Sequence, residues 1–209
     1  MKPLQKPLLI TQTLLSSWSY MFDCAEDKEE DAKAAFLRTL NREPLAPNEA
    51  MQNGIDFERA VYAEVAGAVR TPHPKWESGI RAVATRLMGC QTQVRVQREI
   101  EVCGLPFLVY GVLDAIRAGV IYDVKFLNKS FGSADLAGKY LGSPQHPAYL
   151  YMVPEATRFE YLVSDGKDLY LEVYERDITR PFGDMIVEFV ASIKDQGLWE
   201  LYEGKWGSK

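Results

Sequence analysis

The chain has 209 residues, 47% of them hydrophobic, and a formal net charge of −5. That length and composition suffice to bury a core as one globular domain over residues 1–209. The acidic balance excludes a general polyanion-coating protein but leaves room for a local basic groove, and no apolar run is long enough to cross a bilayer.

The N-terminal segment MKPLQKPLLITQTLLSSW is broken by Pro3 and Pro7. It lacks a cleavage site and reads as mature chain. Cys24, Cys90 and Cys103 are widely spaced and match no zinc pattern. They read as free thiols of a reducing, cytoplasmic compartment. His73 and His146 are too few for a His-rich metal site.

In chain order, 11–22 reads as a short helix and 26–40 as a second one with an apolar stripe, ended by Pro44 and Pro47. Asn48 is placed to cap a helix running to about Ala68. The segment TPHPK (71–75) is a loop, and 75–88 is a further helix or an irregular segment. The hydrophobic period then changes to two. Residues 91–102, 105–116 and 120–126 read as strands, followed by a polar, glycine-bearing stretch over 128–143. Residues 145–152 read as a helix with Pro147 in its first turn. Residues 158–163 and 168–175 form a hairpin about a Ser-Asp-Gly-Lys turn. Pro181 precedes a last helix over 182–194. The order implies an N-terminal helical portion (about 1–90) and a sheet core (about 91–175). The expected fold is α/β, with a central mixed sheet of about four to five strands flanked by helices.

The hairpin YGVLDAIRAGVIYDVKF carries the chemistry. Asp114 and Asp123 sit among apolar residues, where a carboxylate is costly unless compensated. With Ala118-Gly119 at the tip, Arg117 faces Val120, and the same register sets Asp114 opposite Asp123. Facing side chains have Cβ atoms about 4.5–5.5 Å apart. Ala-Gly is not an ideal tight turn, so a four-residue loop is expected. Alternation puts Lys125 on the face of Asp123. Two close carboxylates repel, which drives one toward protonation. A divalent cation removes that penalty, and hard oxygen ligands suit Mg²⁺ or Mn²⁺. The alternative is a structural ion pair in which Lys125 neutralises one aspartate.

A third acid lies on the helix that Asn48 caps. Met51, Ile55, Tyr62, Val65 and Val69 form a stripe at helical spacing that contains Glu58. Packed on the sheet, that stripe would aim Glu58 at the hairpin. Phe57 and Val61 define a competing stripe that includes Glu64.

Taken together, Glu58 on a helix, the G-x-x-D of Gly111–Asp114, the D-x-K of Asp123–Lys125 and the Q-x-x-x-Y of Gln145–Tyr149 resemble the PD-(D/E)XK nuclease superfamily, in its RecB-like and phage-exonuclease branch. The resemblance spans about 48–175, and its force lies in the order and spacing of motifs that are individually short. It implies a restriction-endonuclease-like fold and a metal-dependent DNA exonuclease of phage or recombination type. Asp114, Asp123 and the Val124 carbonyl would bind Mg²⁺ or Mn²⁺, with Glu58 completing the site directly or through water. Lys125 would orient the attacking water, and Gln145 and Tyr149 would border the site. By themselves these last two read better as a helix start with a core tyrosine.

The second acid is Asp where Glu is commoner in this superfamily. The cysteine cluster of its iron–sulfur members is missing, so no Fe–S cluster is expected. Arg117, Lys125, Lys129, Lys139 and Lys167, interleaved with Phe131, Tyr140 and Tyr149, could track phosphates and stack bases, or form an ordinary solvated face. The expected partners are DNA and a recombination or single-strand-annealing protein, with an oligomer as an option and no membrane. An endonuclease of the same fold, a non-catalytic nuclease-fold protein that binds DNA or a partner, and a non-nuclease metal-binding domain are the competing readings.

Overall fold

A computed structural model describes residues 6–133 and 136–207. A short strand β1 (Leu8–Thr11) runs directly into helix α1 (Gln12–Asp23). Thr11 caps that helix by accepting a hydrogen bond from Leu14 N–H at 3.3 Å. A 3-10 turn (Glu26–Lys28) leads into α2 (Glu29–Leu40). Helix α3 (Glu49–Val65) starts where Asn48 Oδ1 accepts from Met51 N–H at 2.9 Å. After α4 (Glu77–Leu87) come β2 (Gln91–Val102), β3 (Leu105–Arg117) and β4 (Val120–Phe126). Helix α5 (Gln145–Met152), β5 (Arg158–Ser164), β6 (Leu169–Glu175), α6 (Phe182–Asp195) and α7 (Trp199–Trp206) complete the chain.

Among the described residues one mixed sheet of six strands runs in the order β1-β3-β4-β5-β6, with β2 on the other edge of β3. The sixth strand is β1, inside the portion read as helical. It pairs parallel to β3 from Leu8↔Phe107 to Thr11↔Tyr110. The hairpin tip also differs from expectation. Ala118 and Gly119 have φ of 48° and 77°, so they form a two-residue turn with both residues left-handed, the twist that suits a tight hairpin.

Two apolar layers cover the sheet. One joins Phe107, Val109 and Leu113 of β3 and Ile121 of β4 to α1, α2, α5, α6 and α7. The other packs Phe57 and Val61 of α3 and Ile80, Val83 and Leu87 of α4 on Ala115, Tyr122, Val124 and Leu162. The core stripe of α3 is therefore Phe57–Val61, not the stripe through Met51 and Ile55, which are 44% and 42% exposed. The larger aromatic decides it: Phe57 stacks on Phe126 with ring centroids 4.8 Å apart and meets Trp76 edge-on at 6.2 Å. Glu58 lies half-buried beside that stripe.

Strand β3 changes partner midway along one edge. It pairs with β1 over 107–110 and with β4 over 115–117. Between these, 111–114 has no strand on that edge. Leu113 belongs to the first layer and Ala115 to the second. The regular alternation thus breaks at Asp114.

Candidate active site

The break in β3 is where the acidic residues gather. Asp114 has no ladder partner on either side: the pairing with β4 stops at Ala115↔Tyr122, and β2 skips it between Thr92↔Ala115 and Val94↔Leu113. The residue opposite on β2, Gln93, has φ 54°, a left-handed conformation that a non-glycine residue rarely adopts. Freed from its neighbours, Asp114 turns its carboxylate onto β4, where Oδ2 accepts the Val124 N–H at 2.8 Å.

Asp123 is 3% exposed. The Gln145 side-chain amide donates to its Oδ1. Its Oδ2 lies 2.6 Å from the Lys125 ammonium, which donates to it. Gln145 is itself buried, at 6% exposure, so α5 delivers an amide to a carboxylate inside the protein. Tyr149, one turn on, is a core residue whose hydroxyl donates to Val112 O at 2.9 Å, filling the edge that β1 and β4 leave open. Gly111 makes that approach possible: a Cβ there would stand 2.4 Å from Tyr149 Cε1. The glycine of G-x-x-D and the tyrosine of Q-x-x-x-Y are thus one packing contact.

Glu58 is held from the strand side. Gln93 Nε2 donates to Glu58 Oε1 at 3.3 Å and to the Tyr62 hydroxyl at 2.9 Å. The Tyr62 hydroxyl also lies 3.4 Å from Asp114 O. The role of Gln93 has no signal in the sequence, because it sits at an exposed position of an alternating strand.

Electrostatically the group is under strain. Burial, then the charges of Asp123 and Glu58, push Asp114 well above the usual carboxylate range against the Val124 N–H and Lys125. Burial raises Asp123 despite Lys125 and Gln145. Burial also raises Glu58; the hydrogen bond with Tyr62 opposes this and the charge of Asp123 adds to it. Burial disfavours the Lys125 cation, but Asp123 first, then Asp114 and Glu58, outweigh it and raise its pKa. Three acids thus share one ammonium.

Among the described residues no three His, Cys, Asp or Glu side chains are grouped tightly enough to hold a metal ion. Glu58, Asp114 and Asp123 therefore do not close into one three-ligand set. The cause is visible in their partners: Gln93 holds Glu58, Val124 N–H holds Asp114, and Gln145 and Lys125 hold Asp123. The donor chemistry nonetheless fits a hard divalent cation. All the candidate side-chain donors are carboxylate oxygens, and three carboxylates act on the single Lys125 cation.

The basic residues divide. Lys129 and Lys167 line one cleft and Lys139 another, beside Tyr20 and Asp23. The Arg117 guanidinium donates to Met88 O. Tyr140 stacks on Tyr161 with centroids 4.3 Å apart, and Phe131 is half-buried. Cys24, Cys90 and Cys103 are free. Among the described residues no helix is long and apolar enough to cross a membrane.

No protein-family model matches the chain, and no curated protein matches it in sequence. Solved structures do. One described as "Crystal structure of SSO0001" is 16% identical with a TM-score of 0.52, covering 93% of this chain and 80% of that one. The structure of LHK-Exo in complex with dAMP is 14% identical at a TM-score of 0.45, covering 90% of each chain. An alkaline exonuclease, LHK-Exo from Laribacter hongkongensis, is 13% identical at 0.45, covering 92% of this chain and 87% of that one. At these identities the likeness to the first bears on the fold alone.

Proposed function

We propose that this chain is a divalent-metal-dependent nuclease that hydrolyses phosphodiester bonds in DNA from strand ends. The observation that carries the reading is the environment of Asp123: a buried carboxylate clamped by Gln145 and Lys125, electrostatically coupled to Asp114 and Glu58. A structural ion pair needs one acid for one base. Three acids about one lysine are unfavourable for the fold and useful for a cation. Asp114 and Asp123 would hold Mg²⁺ or Mn²⁺, with the Val124 carbonyl as a further oxygen and Glu58 acting through water. The bound ion would polarise a phosphate and lower the pKa of its water.

The protein's own groups supply the rest. Lys125 is kept cationic by its neighbours, so it donates hydrogen bonds and does not act as the base. It orients the attacking water and offsets charge developing on the phosphate oxygens. Gln145 fixes the rotamer of Asp123, and Tyr149 fixes the backbone before Asp114 through Val112 O.

Linear and circular DNA, each incubated with Mg²⁺ or Mn²⁺ and again with chelator, test the reading. Metal-dependent loss of linear DNA alone is expected. Nicking or linearisation of circles would replace the exonuclease with an endonuclease. Intact DNA of both forms would remove the catalytic reading.

A further inference from the structure

Beyond Lys125 the chain opens into a cleft of about 770 Å³, within the range of about 300–1,000 Å³ usual for ligand sites. Its walls come from the start of α3, the loop before α4, the chain after β4 and the β5–β6 turn. Three lysines from three of these segments line it: Lys75, Lys129 and Lys167. Among the described residues none of the three ammonium groups is in an ion pair, in a chain of net charge −5.

Two acids also line the cleft, and they differ. Glu49 is exposed. Asp165 is occupied, accepting the N–H groups of Lys167 and Asp168 at 2.9 Å each and of Phe131 at 3.1 Å. That clamp shapes the turn that presents Lys167. The turn is tied to α4 by Gly79 N–H donating to Gly166 O at 3.0 Å.

The apolar wall is aromatic. His73 stacks on Trp76, with centroids 4.0 Å apart and planes at 16°, and Trp76 meets Phe126 at 4.7 Å. His73 Nδ1 accepts the N–H groups of Lys75 at 3.2 Å and Trp76 at 3.0 Å. Nδ1 therefore carries no proton, and Nε2–H is the donor. Aromatic faces beside cations that sit in no ion pair are the chemistry that binds a polynucleotide strand.

We propose that this cleft binds a single strand of DNA, its phosphates on Lys75, Lys129 and Lys167 and a base against the wall formed by His73, Trp76 and Phe126. The volume takes a nucleotide or two. Stacking on the aromatic wall needs an unpaired base face, which a single strand offers and a duplex does not. The inference rests on the nuclease reading, and its cleft adjoins that site in the chain, since Phe126 directly follows Lys125 at the end of β4.

The test is binding without chemistry: fluorescence anisotropy of labelled dT12 with the full chain in chelator. Wild type is compared with the double variant Lys129→Glu/Lys167→Glu, with Lys129→Gln/Lys167→Gln, and with Lys33→Glu, a charge reversal on exposed α2. The double reversal should weaken binding at least tenfold, and the glutamine pair less. Lys33→Glu should change it little. Removing two phosphate contacts should reduce the slope of log K against log salt by about 1.4. Unchanged binding in both double variants, equal displacement of dT12 by inorganic polyphosphate, or equal affinity for a blunt duplex would each overturn the proposal. If dT12 binds through these lysines but Mg²⁺ gives no cleavage, the nuclease reading fails and this one stands. Cleavage with unaltered binding in the variants gives the reverse.

Discussion

Two buried carboxylates sit one register step apart on neighbouring parallel strands, and they are treated in opposite ways. Glu160 of β5, 1% exposed, pairs across the ladder with Tyr122. Its Oε2 meets Arg86 Nη2 at 3.0 Å and its Oε1 meets Arg158 Nη2 at 2.9 Å. One acid has two cations there, each reaching out to solvent. Asp123 of β4 shares a single lysine with Asp114 and Glu58. Burial alone therefore does not mark function. On the proposed reading the sign of the local charge surplus does: extra cations satisfy a carboxylate for the fold, whereas extra carboxylates leave a deficit that a ligand can fill.

The largest expected effect falls on chemistry. Lys125→Ala should lower cleavage about 10²–10³-fold while circular dichroism and oligonucleotide binding stay as in wild type. If the lysine instead serves the fold as the arginines of Glu160 do, the variant will show a lowered melting temperature and ordinary cleavage.

Metal sharpens the contrast next. Mn²⁺ at a hundred times its Kd should stabilise the wild-type chain by about 2.7 kcal/mol through mass action. Glu160→Ala should retain that gain and Asp114→Asn should lose it, as read from melting curves with and without chelator. Equal gains in both variants would remove Asp114 from the ligand set.

Without metal, Glu160→Ala should cost about 2 kcal/mol. A fully buried pair broken from one side costs about 3–5 kcal/mol, and here the abandoned Arg86 and Arg158 side chains are 42% and 38% exposed and can hydrate.

The smallest effect, with the opposite sign, belongs to Asp114. Its folded pKa is raised, so the native state holds a proton that the unfolded chain has already released. Its contribution to stability is therefore favourable near its unfolded pKa and is lost as pH rises through the folded value. Asp114→Asn should match or slightly exceed wild-type stability at neutral pH in chelator and flatten that slope. His146, buried and pushed down to about 4, gives the contrary slope between about pH 4 and 6.5. The informative quantity is therefore the difference between variant and wild type in urea denaturation across pH 5–8. A variant clearly less stable than wild type at pH 8 would place Asp114 with Glu160 as a fold residue.

Much of the framework was legible locally. Residues 91–102 and 145–152 form elements with the expected bounds, because a period of two and a proline-marked helix start are local signals. Asn48 caps α3 as its side-chain chemistry requires. Strand β1 was not legible. Four residues between prolines and a helix become a strand only because β3 offers a parallel edge. Helix α7 was likewise missed; it is held by contacts far away in sequence, among them Tyr202 OH to Leu9 O at 3.0 Å and Trp206 Nε1 to Leu40 O at 2.8 Å.

By itself the sequence placed Asp114, Asp123 and Lys125 on one hairpin and Glu58 on the helix that Asn48 caps. Only the tertiary structure decided how they are held. The Phe57–Val61 stripe won the core face because an aromatic ring buries more surface. Asp114 left the ladder because β3 exchanges β1 for β4 at that point. Gln93, Gln145 and Tyr149 became the restraints because folding brought their strand and helix against the break. Register is set by neighbours in the chain, whereas the partner of a buried polar atom is whatever the fold carries to it.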